Sequence, residues 1–340
     1  MYGQKLIAYY SGNAKQIGAY PVNKLSQIIF SFCHLQGNRM VVRSRSDSLV
    51  IQTLVGLKLR NPKLKILLCL GGWGGCKTCS DVFSTEAGRE EFAESVKEMT
   101  NYFHTDGIDL DWEFPSMEAF PGYAFLKDDK LHFNQLIVKL REKLGPLKEI
   151  SVICAGFSPY LEGSLDLPFI APYVSRINLM TYDLIGSHHH FTGHHSALFS
   201  TSWQMGSADR AVRYLDSLKI PHNKIAIGVA LYGRLYKVSE NHDHGLNQPA
   251  QFERFVTDKD IRLHYTALEG YKTYWDSEAQ AAYKYNKREK IFISYDDDRS
   301  VAAKVKYVKD NGLDGIFFWE LRLDKPTGGL VDEMTRLMNK

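Results

Sequence analysis

The sequence predicts a closed (β/α)8 barrel carrying one small insertion. Eight short apolar runs recur along the chain, at residues 6–11, 27–34, 65–71, 107–114, 150–157, 176–183, 224–231 and 315–320. Amphipathic helical stretches lie between them, for example at 90–103, 131–144, 209–218 and 299–311. Strand and helix patterns in alternation mark a parallel α/β fold. Eight such runs point to a barrel that closes on itself rather than to an open sheet. The alternation breaks once, between about residues 234 and 290, where the pattern turns strand-like and aromatic: His264, Tyr265, Tyr271, Tyr274, Trp275, Tyr283 and Tyr285. Such aromatic density argues against a disordered loop. The expected division is a barrel of residues 1–233 and 291–340, with an insertion of 234–290. A further strand at 291–295 is placed in the barrel portion, before its last helix.

Active sites of such barrels gather at the C-terminal ends of the strands. The first run ends in Tyr9-Tyr10-Ser11, and the second carries Phe32. The third ends in Gly71-Gly72-Trp73, the sixth in Met180-Thr181-Tyr182-Asp183, and the seventh runs on to Tyr232-Gly233-Arg234. The eighth ends in Phe318-Trp319-Glu320. A Trp or Tyr at one strand end is core or rim more often than a ligand platform. Their convergence on equivalent ends is what points to a sugar site.

The fourth run is the most informative. Asp109, Asp111 and Glu113 stand two residues apart in Asp106-Gly107-Ile108-Asp109-Leu110-Asp111-Trp112-Glu113. Side chains at i, i+2 and i+4 of a strand share one face. The three carboxyls are therefore expected on one face, with Ile108, Leu110 and Trp112 opposite. Like charges so stacked repel, so at least one member should hold its proton near neutral pH. That is how a general acid is tuned.

The pattern Asp106-x-x-Asp109-x-Asp111-x-Glu113 resembles the signature of glycoside hydrolase family 18, the chitinase-type family. The resemblance extends over nearly the whole chain, and the aromatic segment resembles the α+β insertion that one branch carries after its seventh strand. It implies hydrolysis of β-1,4 linkages in chitin or N-acetylglucosamine oligomers, with retention. The substrate's own acetamide would be the nucleophile. By the same resemblance Glu113 protonates the leaving oxygen. Asp111 holds the acetamide N–H and stabilises an oxazolinium ion, and Asp109 shares a proton with Asp111. Tyr182 donates to the acetamide oxygen, Asp183 binds near the same sugar, and Trp319 floors the distorted ring. Tyr10, Phe32, Gly72, Trp73, Met180 and Tyr232 are expected to line the cleft, with Arg234 and Tyr265 on the insertion side. No cofactor is implied, and a monomer is expected.

Two departures from the family pattern stand out. Cys69 occupies the place where the family usually has Ser, and a thiol is the weaker donor toward the acidic triplet. The stretch after Asp183, where an aromatic often stacks on a neighbouring sugar, reads Leu184-Ile185-Gly186-Ser187-His188-His189-His190, followed by His194-His195. Its spacing fits no standard zinc set, so no metal is assigned.

Composition sets the outer bounds. The 340 residues are 44% hydrophobic and 24% charged, an ordinary globular balance. A net charge of +3 gives no reason to expect nucleic acid or a membrane surface as partner. No apolar run approaches membrane-span length. No signal peptide precedes the first strand-like run. The substrate class points to an extracellular or periplasmic enzyme, and a cytoplasmic one stays open. Cys33, Cys69 and Cys154 read as small buried hydrophobes. Cys76 and Cys79 form a Cys-x-x-Cys pair, read as a local crosslink or two free thiols; a crosslink would favour export. Two rival readings remain on the same fold. One is a non-catalytic sugar-binding protein, against which the intact Glu113 and Tyr182 argue. The other is an endo-β-N-acetylglucosaminidase acting on N-glycan cores, whose relatives typically lack the insertion.

Overall fold

The computed structural model describes residues 3–339. In chain order the strands are β1 (Lys5–Tyr10), β2 (Gln27–Gln36), β3 (Arg39–Val41), β4 (Lys65–Gly71), β5 (Gly107–Asp111), β6 (Glu149–Ala155) and β7 (Arg176–Met180). They continue with β8 (Ile225–Ala230), β9 (Tyr232–Val238), β10 (Ala250–Thr257), β11 (Lys272–Asp276), β12 (Ala281–Asn286), β13 (Ile291–Tyr295) and β14 (Gly315–Trp319). Strands β1, β2, β4, β5, β6, β7, β8 and β14 are parallel, and β1 pairs with both β14 and β2, closing the barrel. Each of the eight apolar runs is thus a barrel strand. Buried on both faces, such strands read as continuous apolar segments. The run at 107–114 ends early, at Asp111, so Glu113 stands just past the strand rather than within it.

The expected helices are present. They include α1 (Arg45–Gly56), α2 (Cys79–Ser84), α3 (Glu86–Tyr102) and α4 (Asp129–Leu144). After the short α5 (Tyr160–Gly163) and α6 (Leu167–Ile170) come α7 (Ala208–Ser217), α8 (Asp258–His264), α9 (Asp298–Asp310) and α10 (Leu330–Met338). Their starts are written in the sequence. The Ser207 hydroxyl accepts from the Arg210 N–H at the head of α7, and Asp297 with Ser300 forms a reciprocal capping box on α9. None of the described helices is long and apolar enough to cross a membrane.

The insertion is an antiparallel sheet in the order β10-β9-β13-β12-β11. Strand β13, placed by sequence in the barrel portion, is hydrogen-bonded between β9 and β12 and belongs to this second sheet. The misplacement has a simple cause: an apolar strand pattern does not say which sheet will accept it. Cys76, in the loop after β4, is bridged to Cys79 at the start of α2, while Cys33, Cys69 and Cys154 are free and buried.

Candidate active site

A polar column rises through the barrel interior. At its base Arg176, on β7 and wholly buried, donates from Nε to Asn178 Oδ1 at 2.8 Å. Asn178 Nδ2 donates onward to the Tyr9 hydroxyl at 3.0 Å and to Asp109 Oδ1 at 3.2 Å. Asp109 Oδ1 also accepts from the Ser151 hydroxyl. Its Oδ2 accepts from the Tyr9 hydroxyl at 2.8 Å and from the Cys69 thiol at 3.3 Å. Four donors from β1, β4, β6 and β7 thus converge on one carboxyl. Burial raises the Asp109 pKa and these bonds oppose the rise. With donors on both oxygens, this is the environment of a carboxylate.

The next two acids are in a different position. Asp111 is buried, and among the described residues its Oδ1 has no hydrogen-bond partner. Burial, then the charges of Glu113 and Asp109, push it well above the usual carboxylate range. Glu113 is pushed up to about 8, by burial first and then by the charge of Asp183, against a hydrogen bond with Asp111. At neutral pH Glu113 is thereby kept as an acid, while the donors on Asp109 oppose the rise that burial imposes on it. Three carboxyls on this spacing avoid mutual repulsion in this way.

Opposite the triplet, β7 delivers Tyr182 and Asp183. Gly228 on β8 makes room for the Tyr182 ring: a Cβ there would stand 2.6 Å from the ring. Burial lifts the Tyr182 pKa well above its ordinary value, so its hydroxyl stays a donor. Asp183 adopts a left-handed backbone, with φ of 57°. Its Oδ1 accepts from the Tyr232 hydroxyl at 2.8 Å and from Arg234 Nε at 2.6 Å, both on β9. Burial alone would raise its pKa, but the neighbouring His195 and the Arg234 guanidinium outweigh that and hold the carboxyl well below the usual range.

Aromatic rings complete the site. Trp319, at the end of β14, stacks on Phe32 at 5.6 Å between centroids and lies 5.8 Å from Tyr9. Gly72 sits directly against the Phe32 ring, where a Cβ would come within 2.5 Å. Trp73 is exposed on the β4–α2 loop, edge-on to Phe120 at 5.4 Å. The Tyr123 hydroxyl donates to the Gly74 carbonyl at 2.6 Å and ties that loop to the one following β5.

A sequence model of glycosyl hydrolases family 18 matches residues 5–324. The chain belongs to family 18. It is 33% identical over 317 residues to Chitinase A1 of Niallia circulans, a match covering 83% of this chain and 45% of that protein. It is 30% identical over 330 residues to Chitotriosidase-1 of Mus musculus, covering 92% and 69%. The solved structure of a family 18 N-acetylglucosaminidase from Paenibacillus barengoltzii superposes with a TM-score of 0.89 at 31% identity, covering 98% of this chain and 99% of that one. The chain thus spans less than half of Chitinase A1 and about two thirds of Chitotriosidase-1.

Within this family 18 barrel most of the expected residues converge. Asp109, Asp111, Glu113, Tyr182, Asp183, Phe32, Met180, Tyr232, Arg234 and Trp319 lie in or against the strand ends just described. Two do not. Tyr10 is fully buried on the outer side of β1, packed toward the helices, and its hydroxyl donates to the Asn13 carbonyl at 2.5 Å. Its neighbour Tyr9 faces the interior and contacts Asp109. Tyr265 packs on Tyr271 inside the insertion and accepts from Arg254 at 3.1 Å. Sequence reasoning passed over Ser151, Asn178 and Arg176. The available signal was a polar residue inside an otherwise apolar buried strand, which must find a partner. It also passed over His195, grouped with a loop cluster. Among the described residues no group of three or more His, Cys, Asp or Glu side chains could hold a metal ion.

Proposed function

We propose that this chain hydrolyses β-1,4 linkages between N-acetylglucosamine units, with retention, using the substrate's acetamide as nucleophile. The observation that carries the reading is the placement of Glu113, just beyond a strand whose Asp109 carboxyl is held lower down by Tyr9 and Asn178, with its pKa pushed up to about 8. Glu113 gives its proton to the leaving oxygen as the glycosidic bond breaks. The acetamide carbonyl closes on the anomeric carbon, and Asp111 accepts from the acetamide N–H of the cationic ring that forms. Tyr182 donates to the acetamide oxygen and aligns it for attack. Deprotonated Glu113 then takes a proton from water, which opens the ring from the face the leaving group left. Trp319 floors the distorted sugar. A polymeric substrate favours an extracellular or periplasmic setting for the enzyme.

The test is a product profile from N-acetylglucosamine oligomers of defined length, with the anomer followed by NMR during the first turnovers. β-Anomeric products are expected, together with inhibition by a thiazoline mimic of the cyclic intermediate. Initial α-anomer, or equal cleavage of cellulose oligomers that lack the acetamide, would overturn the mechanism. A second reading, release of single N-acetylglucosamine units, is favoured by the full-length likeness to the Paenibacillus barengoltzii N-acetylglucosaminidase. The same profile separates the two, since that action yields monosaccharide from the outset.

A further inference from the structure

The histidine-rich stretch after Asp183 divides in two. His188 and His189 stack on each other at the surface, with ring centroids 4.1 Å apart. His194 and His195 turn inward, against the insertion. His194 Nε2 lies 2.9 Å from Asp276 Oδ2 at the end of β11. The His195 N–H donates to the Ser294 hydroxyl on β13 at 2.8 Å. The His195 side chain is wholly buried, its ring 5.3 Å from that of Tyr232, and its Nδ1 lies 3.5 Å from Asp183 Oδ1. Among the described residues neither ring nitrogen has a hydrogen-bond partner, and the Asp183 contact is the polar one nearest to Nδ1. An unpaired buried polar group is costly, and an apolar side chain of similar size would avoid that cost. The polar contact that remains to offset it is Asp183.

We infer that His195 is a positioning residue for the reaction, holding Asp183 from the β7–α7 loop while Tyr232 and Arg234 hold it from β9, so that one carboxylate oxygen is fixed and the other is left for the sugar. The inference rests on the functional reading above, in which Asp183 binds near the reacting sugar. Tyr232 and Arg234 both reach Asp183 Oδ1 from β9. His195 approaches that same oxygen from the β7–α7 loop. Contacts from two separate elements restrain rotation of the carboxylate, which contacts from one element would leave freer. The Asp183 side chain is 33% exposed, and its other oxygen has no protein donor among the described residues.

The groups facing His195 are Asp183 from the end of β7, Tyr232 and Arg234 from β9, and Asp296 from the segment after β13, itself paired with Lys304. Burial lowers the His195 pKa, against the pull of Asp183, so the ring faces the carboxylate as a neutral imidazole. The contact helps keep Asp183 ionised, and that charge in turn raises Glu113. The insertion thereby touches catalysis through one buried imidazole as well as through β9.

The test compares His195→Leu with His195→Asn, whose amide nitrogen can stand where Nδ1 stands. With chitooligosaccharides, His195→Leu is expected to lower kcat about 10- to 100-fold, the scale of a misaligned reacting group. The alkaline limb of its kcat/KM profile should move upward, because Asp183 presents a less compensated charge to Glu113. His195→Asn should restore most of kcat and return the limb. If His195→Leu does not fold, His195→Gln replaces it, its amide lying at the Nε2 end, and the same contrast with Asn is expected. A folded Leu or Gln variant with wild-type kcat and an unmoved limb would overturn the inference. So would an Asn variant as impaired as Leu, since that marks ring volume alone. A wild type inactive on the oligomers overturns both readings; an active wild type with an indifferent His195 overturns only this one.

Discussion

The Cys69 thiol and the Tyr9 hydroxyl share one acceptor, Asp109 Oδ2, at 3.3 and 2.8 Å. Burial, with the charges of Asp109 and Asp111, keeps the thiol neutral. It therefore acts as a donor, though a weak one. Cys69→Ser should be tolerated, because the replacement is slightly smaller and the other three donors to Asp109 remain. A hydroxyl favours the Asp109 carboxylate more than a thiol does. The acidic limb of kcat is therefore expected to move to lower pH, with little change in KM. Superimposable pH profiles for the two proteins would reduce Cys69 to a packing residue.

Glu113→Gln keeps the size and hydrogen bonding of the acid but has no proton to give. Turnover of chitooligosaccharides should fall by about 10²–10⁴-fold or more. Oligomer binding, measured calorimetrically, should stay within a few-fold, since Trp319, Phe32 and Tyr182 are untouched. Near wild-type turnover would remove Glu113 from its role.

How much of this was legible without coordinates depends on the physics at each position. The barrel was legible because eight doubly buried strands leave eight apolar runs. The acidic triplet was legible because carboxyls at a spacing of two inside an apolar frame have few other uses. The choice between Tyr9 and Tyr10 was not legible. Both faces of a barrel strand are buried, so alternation cannot say which neighbour points inward. Ser151 and Asn178 each look unremarkable alone; only the closed barrel brings them within reach of Asp109. His195 was obscured by its neighbours, because a run of histidines on a loop reads as surface until the insertion is seen to cover half of it.

The tuned acid should cost the protein stability in a pH-dependent way. Glu113 has a folded pKa of about 8 against an ordinary value of 4.5. Where the folded value is the higher one, the folded state binds more protons, so stability falls as pH rises between the two. The group contributes fully below pH 4.5 and loses its contribution as pH passes about 8. Glu113→Gln removes that dependence. The Tm of the variant minus that of the wild type should therefore be smallest near pH 4.5 and grow in favour of the variant toward pH 8 and above. A difference that is flat with pH would mean that Glu113 ionises in the folded protein as it does in the unfolded one.

Gly228 offers a test of Tyr182 that leaves the tyrosine itself in place. A Cβ at Gly228 would come within 2.6 and 2.8 Å of two Tyr182 ring carbons and 3.0 Å of the Phe317 ring. These are rigid ring atoms packed in the barrel interior rather than the far ends of flexible chains. They can relieve the contact only by moving. Overpacking of this kind typically costs about 1–3 kcal/mol. Gly228→Ala should therefore lower Tm and displace the Tyr182 hydroxyl from the place where the proposed mechanism has it meet the acetamide oxygen. With Glu113 unchanged, kcat should drop with little movement of the alkaline limb, which separates a loss of alignment from a loss of the acid. Tyr182→Phe removes the hydroxyl without the overpacking, and it should reproduce the fall in kcat without the fall in Tm. Wild-type kcat in a folded Tyr182→Phe protein would show that the hydroxyl aligns nothing, and any loss in Gly228→Ala would then belong to the deformed barrel alone.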